Sequence, residues 1–183
     1  FLIDGGKGKS AELPPITVRQ DFPENWRIIL LVNSREKGIH GQKEYNAFKT
    51  LKPFPENLSE KLCRLVNMVI LPSLIEKNFN DFSEAIGQLQ KIVGTHFSPI
   101  QGGVYSNPDI ANIMNYAEQN GFMGVGQSSW GPTGFILTDS DTSAHKLTKD
   151  IKQNFLCKDL QIEIIKGRNK GSYIESFSNE NVS

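Results

Sequence analysis

Apolar residues in this chain recur with two different periods, and the changes from one to the other mark out its elements. Residues 26–33, WRIILLVN, form an unbroken apolar run of strand length between Pro23 and Asn33, which predicts a strand covered on both faces or central in a sheet. Upstream, PITVRQDFPEN (15–25) is placed to hairpin onto it. GQKEYNAFKTL (41–51) reads as a short helix ending before Pro53 and Pro55. Asn57 with Glu60 three residues later predicts a capping box for the next helix. On that helix Leu58, Leu62, Leu65, Val66, Val69, Ile70 and Leu74 fall at three- and four-residue spacings, and Pro72 kinks or divides it. A further helix carries Phe82, Ala85, Ile86, Leu89, Ile92 and Val93 on one side, with Gly94 as its stop.

The connector THFSPIQGGVYSNP (95–108) is read as irregular, ending with Asn107 as N-cap and Pro108 as first helical residue. The helix that follows turns Ile110, Ile113, Met114 and Ala117 inward and stops at Gly121. Two short strands come next, 122–125 and 133–138, flanking a glycine loop. Asp139 or Ser140 caps a helix with Ala144, Leu147, Ile151 and Phe155 on one face. A last strand alternates Leu160, Ile162 and Ile164 with Gln161 and Glu163. The order strand, helices, strand, strand, helix, strand is that of an α+β fold: a ferredoxin-like split βαβ sheet with extra helices in the first crossover. The tail SFSNENVS (176–183) is polar and expected to fray.

The loop GVGQSSWGPT (124–133) carries the most specific chemistry. Gly124, Gly126 and Gly131 let backbone turn or be approached, and Gln127, Ser128 and Ser129 add donors, a set suited to phosphate oxygens held by successive N–H groups. A plain hairpin with Trp130 folded back as a packing lid fits the same letters. The segment is not GxGxxG before a helix, and it lacks the lysine of a P-loop.

Composition narrows the partners. With 183 residues, 38% of them hydrophobic, the chain can bury a core without staples. Twenty basic residues balance twenty acidic ones with no basic run, so nucleic acid is not an expected partner and small molecules are. Cys63 and Cys157 lie far apart in apolar-periodic segments and are read as buried reduced thiols. No apolar run reaches the ~20 residues of a membrane span, which points to a cytoplasmic protein with no membrane partner. The opening FLIDGGKGKSAELPP begins in mid-pattern without methionine, and the chain is expected to be a fragment.

Four stretches, ITVRQDFPENWRIILLV, FSPIQGGVYSNPDI, GVGQSSWGPTGFIL and KGRNKGSYI, together resemble the C-terminal half of archaeal β-ribofuranosylaminobenzene 5'-phosphate synthases, members of the GHMP kinase superfamily that are not kinases. The resemblance implies a GHMP-type C-terminal domain at 23–171, an N-terminal segment at 1–22 joining an absent N-terminal half, and a tail at 172–183. It implies transfer of ribose phosphate from phosphoribosyl pyrophosphate to a hydroxybenzoate-type acid, with loss of carbon dioxide and pyrophosphate, in tetrahydromethanopterin biosynthesis. Magnesium would accompany the pyrophosphate.

On that resemblance, Gly124, Gly126, Gln127, Ser128 and Ser129 line the pyrophosphate side, with their amides on the leaving group. Gln101, Gly102 and Gly103 face the same cleft or form a helix-entry turn. His96 contacts substrate or satisfies local backbone. Arg168 and Asn169 are a phosphate contact or a C-terminal clamp, and Arg19 and Asp21 are family matches or a turn brace. Asp4 alone is poor support for a metal site. Two other function classes stay open: an ATP-dependent small-molecule kinase, and a non-catalytic binding or dimerisation module whose open sheet face or edge can pair, with a homodimer as the partner in the latter case.

Overall fold

The structure, a computed structural model, describes residues 2–5, 13–35 and 38–175. The tail SFSNENVS and the glycine-lysine run after Gly5 lie outside the described residues. Two compact units make up the chain: Pro23–Gly167, and Phe1–Phe22 together with Arg168–Ser183. Residues 168–171, placed with the large domain from sequence, thus group with the N-terminal segment.

The large unit is built on strands β3 (Arg27–Asn33), β4 (Val125–Gln127), β5 (Gly134–Thr138) and β6 (Leu160–Ile165). They form one antiparallel sheet in the order β4-β5-β3-β6. The first strand in sequence pairs with the third and the fourth, and this is the split arrangement expected for a ferredoxin-like α+β domain. β3 is central, as its apolar run predicts, and Ile29 and Leu31 are fully buried. Helices α5 (Pro108–Gln119) and α6 (Asp141–Asn154) supply Ile110, Ile113, Met114, Ala117, Ala144, Leu147 and Ile151 to the same core.

Both helices start where the sequence says. The Asn107 side chain accepts from the Ile110 amide at 2.9 Å, and the Ser140 hydroxyl accepts from the Ser143 amide at 3.2 Å. α5 ends at Gly121, whose φ of +87° allows the Phe122 amide to reach back to the Ala117 carbonyl at 3.0 Å.

The first crossover holds α1 (Gln42–Thr50), α2 (Glu56–Leu65), α3 (Leu71–Glu76) and α4 (Phe79–Gln101). Asn57 does not cap α2. Its N-cap is Pro55, without a side-chain bond, and Asn57 already lies inside the helix. α2 runs through a π-helical turn, Val66–Ile70, into α3. The Pro72 ring cannot donate to the preceding turn and would crowd it, and a widened turn just before it is how a helix accommodates both. The apolar face of α2 is only half-buried, and burial becomes complete at Ile70 and Leu74.

α4 is where sequence and structure differ most. It does not stop at Gly94 but continues through Pro99 to Gln101, and Gly102, at φ +89°, provides the left-handed cap. Gly94 is small for a different reason. A Cβ there would lie 2.5 Å from the Val104 carbonyl oxygen, and one on Gly87 would lie 2.1 Å from that of Met123. From the strand side, a Cβ on Gly124 would meet Ser83 Cβ at 2.9 Å, and one on Gly126 would meet Gln90 Cγ at 2.5 Å. Ser83, Gly87, Gln90 and Gly94 repeat at helical spacing, so one face of α4 lies directly against the backbone of residues 123–126 and, at Gly94, of Val104. What approaches the glycine stretch so closely is therefore a helix.

In the small unit, β2 (Ile16–Arg19) pairs antiparallel with β1 (Leu2–Asp4) and not with β3, so the hairpin predicted onto β3 does not form. Asn169 closes this unit. Its Nδ2 donates to the Phe22 carbonyl at 2.9 Å, and its Oδ1 accepts from the Phe22 amide at 2.8 Å. Of the cysteines, Cys63 is exposed, contrary to the buried reading, and Cys157 is half-buried, with desolvation raising its thiol pKa.

Candidate functional site

The glycine stretch itself becomes β4. The Ser128 amide donates to the Thr133 carbonyl at 2.9 Å and the Leu137 amide to the Gly124 carbonyl at 2.8 Å. The alternation of an antiparallel ladder then makes Gly126 and Phe135, opposite each other in register, the hydrogen-bonded pair between them. The Val125 amide donates to the Met123 carbonyl, the Gln127 amide to Gln90 Oε1 and the Gly131 amide to the Ser128 carbonyl. Hence the amides of Gly126, Gln127 and Ser128 are not a bare cradle for an anion. Ladder pairing with β5 and packing on α4 use them, because glycine at 124 and 126 lets this stretch lie close against a helix.

What the loop does build is a cleft beside it. Gln127, buried, is its hinge: Oε1 accepts from the Ser106 amide at 2.7 Å, while Nε2 donates to the Ser129 carbonyl at 3.0 Å and to Gln101 Oε1 at 3.2 Å. Gln101 in turn donates to the carbonyls of Gly103 and Val104, both at 2.9 Å. Two carboxamides thus tie the end of α4, the connector and the loop tip into one network. Such a network holds position when every member is satisfied. Ser129 sits at φ +49°, in the left-handed region, with its carbonyl held by Gln127.

Around this network a cleft of about 200 Å³ is lined by Phe48, Val93, Phe97, Val104 and Trp130, with Glu44, Gln90, Gln101, Gln127 and Ser129 as its polar groups. Trp130 is buried, as the packing-lid reading had it. Its ring stands edge-on to Phe97 at 4.7 Å and to Phe48 at 5.5 Å, and its Nε1 donates to Glu44 Oε1 at 3.1 Å. Gln101 and Gln127 are occupied within the protein. The groups free to meet a ligand are the Gln90 carboxamide N–H, the Ser129 hydroxyl and amide, and the second oxygen of Glu44.

The sequence-derived residues are thus brought together in part. Gln101, Gln127 and Ser129 line this cleft, Gly126 lies under Gln90, Gly124 packs against Ser83 and Leu137, and Ser128 is exposed in the turn. Gly102 and Gly103 line a second, wider cleft of about 630 Å³, with Tyr105 and the Lys91–Glu118 ion pair of 2.7 Å. Burial, and then the Glu118 carboxylate, push the Tyr105 hydroxyl up to about 12, which keeps it a proton donor. His96 lies outside both clefts, its ring 4.6 Å from Phe54 and 5.4 Å from Phe97. Arg168 belongs to the small unit. Sequence reasoning missed Gln90, Phe97, Phe48 and Glu44. Gln90, Phe97 and Gln101 share a face of α4 at seven- and four-residue steps, a signal hidden by reading Gly94 as a helix end.

Among the described residues no group of three or more His, Cys, Asp or Glu could hold a metal ion. No helix among them is long and apolar enough to cross a membrane.

Comparison with known proteins bears on the same segments. The family profile described as GHMP kinases C terminal matches residues 70–156, from the end of α2's π-turn through α6. The chain is 32% identical over 151 residues to β-ribofuranosylphenol 5'-phosphate synthase of Methanothermobacter thermautotrophicus, covering 76% of this chain and 45% of that protein. It is 33% identical over 162 residues to the protein of the same name from Methanocaldococcus jannaschii, covering 80% and 47%. The chain spans about half the length of these curated relatives. Among solved structures, mevalonate kinase of L. major, in complex with R-mevalonate, matches with a TM-score of 0.58 at 11% identity, over 85% of this chain and 47% of that one. Mevalonate diphosphate decarboxylase of Staphylococcus aureus matches with a TM-score of 0.57 at 14% identity, over 87% and 52%. These two likenesses concern the fold alone.

Proposed function

Because this chain belongs to the GHMP kinase superfamily through its C-terminal domain, we propose that it is the C-terminal half of a decarboxylating phosphoribosyltransferase. In this reading the enzyme joins phosphoribosyl pyrophosphate to a 4-hydroxybenzoate-type acid in tetrahydromethanopterin biosynthesis. The observation that carries it is the similarity to proteins named for a ribofuranosylphenol 5'-phosphate product. In the reaction a bond forms between ribose C1 and the ring carbon bearing the carboxylate. The C1–pyrophosphate bond breaks, and the ring–carboxylate bond breaks with its electron pair left to the ring, so pyrophosphate and carbon dioxide leave without any external oxidant.

The chain's own residues would act here by binding and by excluding water. The Phe48, Phe97 and Trp130 rings, edge-on to one another, offer an apolar wall for an aromatic acceptor, and the Gln90 N–H groups offer it one donor pair. Ser128 and Ser129 hydroxyls and the Ser129 amide are the loop groups left for the leaving group, a smaller set than the sequence suggested. A magnesium ion accompanying pyrophosphate would take its ligands from phosphate oxygens and water, since the described residues form no site of their own.

The test is release of labelled carbon dioxide from carboxyl-labelled 4-hydroxybenzoate by this chain joined to a GHMP N-terminal half. Release that depends on phosphoribosyl pyrophosphate is the expected result. ADP formation from ATP without carbon dioxide would replace the reading with a kinase. Gln90→Leu should raise KM for the aromatic acid while leaving that for the ribosyl donor unchanged.

A further inference from the structure

A second feature of the chemistry lies in the small unit. Residues 19–21 and 168–171 face each other across a cleft of about 200 Å³, several times the ~30 Å³ that one water occupies in the liquid. Three of its seven lining residues are cationic, Arg19, Arg168 and Lys170, against one carboxylate, Asp21. Among the described residues none of the three cations is in an ion pair, although the chain as a whole carries equal numbers of acids and bases. Among the described residues the surplus positive charge is therefore local and unpaired.

The cleft is also held in shape. Asn169 makes its pair of hydrogen bonds with the Phe22 backbone and so clamps the second segment to the first. Arg19 Nη2 donates to the Asn169 carbonyl at 2.7 Å, and Arg168 Nη2 donates to the Gly171 carbonyl at 2.9 Å. One nitrogen of each guanidinium is thereby fixed on backbone, which orients the planar fork, and its other N–H groups have no partner among the described residues. Lys170 makes no hydrogen bond or ion pair among the described residues and adds a third positive charge.

We propose that this cleft is a binding site for a small phosphate-type dianion. Two oriented guanidinium groups and an ammonium match several oxygens of one tetrahedral group, a demand that a monovalent carboxylate does not meet as fully. The segments that form it are 147 residues apart at Phe22 and Asn169, so the site exists only in the folded chain. Asp21 opposes the anion: its carboxylate lowers affinity, and its removal should strengthen binding. The proposal stands apart from the transferase reading, since a chain without that activity could still bind the anion.

The experiment is titration of the whole 183-residue chain with inorganic phosphate, pyrophosphate and ribose 5-phosphate at low ionic strength, followed by calorimetry and by amide and guanidinium NMR shifts. Saturable one-to-one binding with shifts at residues 19–21 and 168–171 is expected, weakening as salt shortens the screening length to ~10 Å near 0.1 M. Binding of ribose 5-phosphate alone would identify a sugar phosphate as the source, and binding of all three would identify the phosphate group itself. Lys170→Gln, which breaks no hydrogen bond, should weaken binding roughly two- to fivefold, and Asp21→Asn should tighten it by a similar factor. Absence of saturation with all three ligands would overturn the proposal. So would shifts confined to other segments, unchanged affinity in both variants, or binding of an oligonucleotide alone.

Discussion

Replacing Gly87 with Ala tests the claim that the small face of α4, rather than a ligand, explains the glycines of the loop. Considered as a helix position, Gly87 should be improved by Ala, which is favoured in a helix interior by about 1 kcal/mol. The structure predicts the opposite sign. The new Cβ would lie 2.1 Å from the Met123 carbonyl oxygen, whereas ordinary contact begins near 3.4 Å. Relief needs a separation of about 1.3 Å, and the carbonyl cannot swing freely because it accepts from the Val125 amide at 3.0 Å. α4 must lift from β4, and a gap of that size forfeits much of the dispersion along the contact. Overpacking of this kind costs about 1–3 kcal/mol, so after the helix gain of about 1 kcal/mol is deducted a net loss of about 1 kcal/mol is expected. For a chain of this length that corresponds to a fall in Tm of about 2–4 °C. Urea unfolding followed by fluorescence of Trp26 and Trp130 gives the number, with the exposed Gln88→Ala on the same helix expected within about 0.5 kcal/mol of wild type. A Gly87→Ala protein as stable as wild type, or more so, would refute the packing argument.

Three further outcomes follow from named interactions. Gln127→Ala removes three side-chain hydrogen bonds and leaves the Ser106 amide and Ser129 carbonyl without their partner, so a loss of about 2–4 kcal/mol in urea unfolding is expected; a change under about 0.5 kcal/mol would show that the carboxamide network does not hold the loop. Asn169→Ala should speed hydrogen exchange at the Phe22 amide while core amides such as Ile113 keep their protection, and equal protection at Phe22 would disprove the clamp. Arg27 Nε donates to Asp141 at 2.9 Å and holds that carboxyl below its ordinary 3.8; the folded value is lowered, so this stabilisation is complete above pH 4 or so and is lost as pH falls through the folded value. The stability difference between wild type and Asp141→Asn should therefore shrink as pH falls below about 4, and a difference constant across that range would contradict the pairing.

How much was legible in the sequence can be judged element by element. The unbroken run 26–33 marked a strand that is central in its sheet, although burial alternates along it, with Ile29 and Leu31 buried and Ile28, Leu30 and Val32 half-buried. Asn107-Pro108, Ser140 and Gly121 determined helix ends, since each acts through its own backbone and immediate neighbours. The order of these elements was enough for the split βαβ class. Features that depend on distant partners were not legible. Gly94 and Gly87 look like helix breakers until Val104 and Met123 are seen against them, and the glycines of 124–126 suggest an open loop until α4 is laid across them. The candidate cleft follows the same rule. Gln101, Gln127 and Ser129 stood out through their surroundings in sequence, whereas Gln90, Phe48 and Glu44 entered it only because helices distant in the chain meet there. Local conformational preference is written in neighbouring residues; close approach between segments is a property of their packing, and only the tertiary structure decides it.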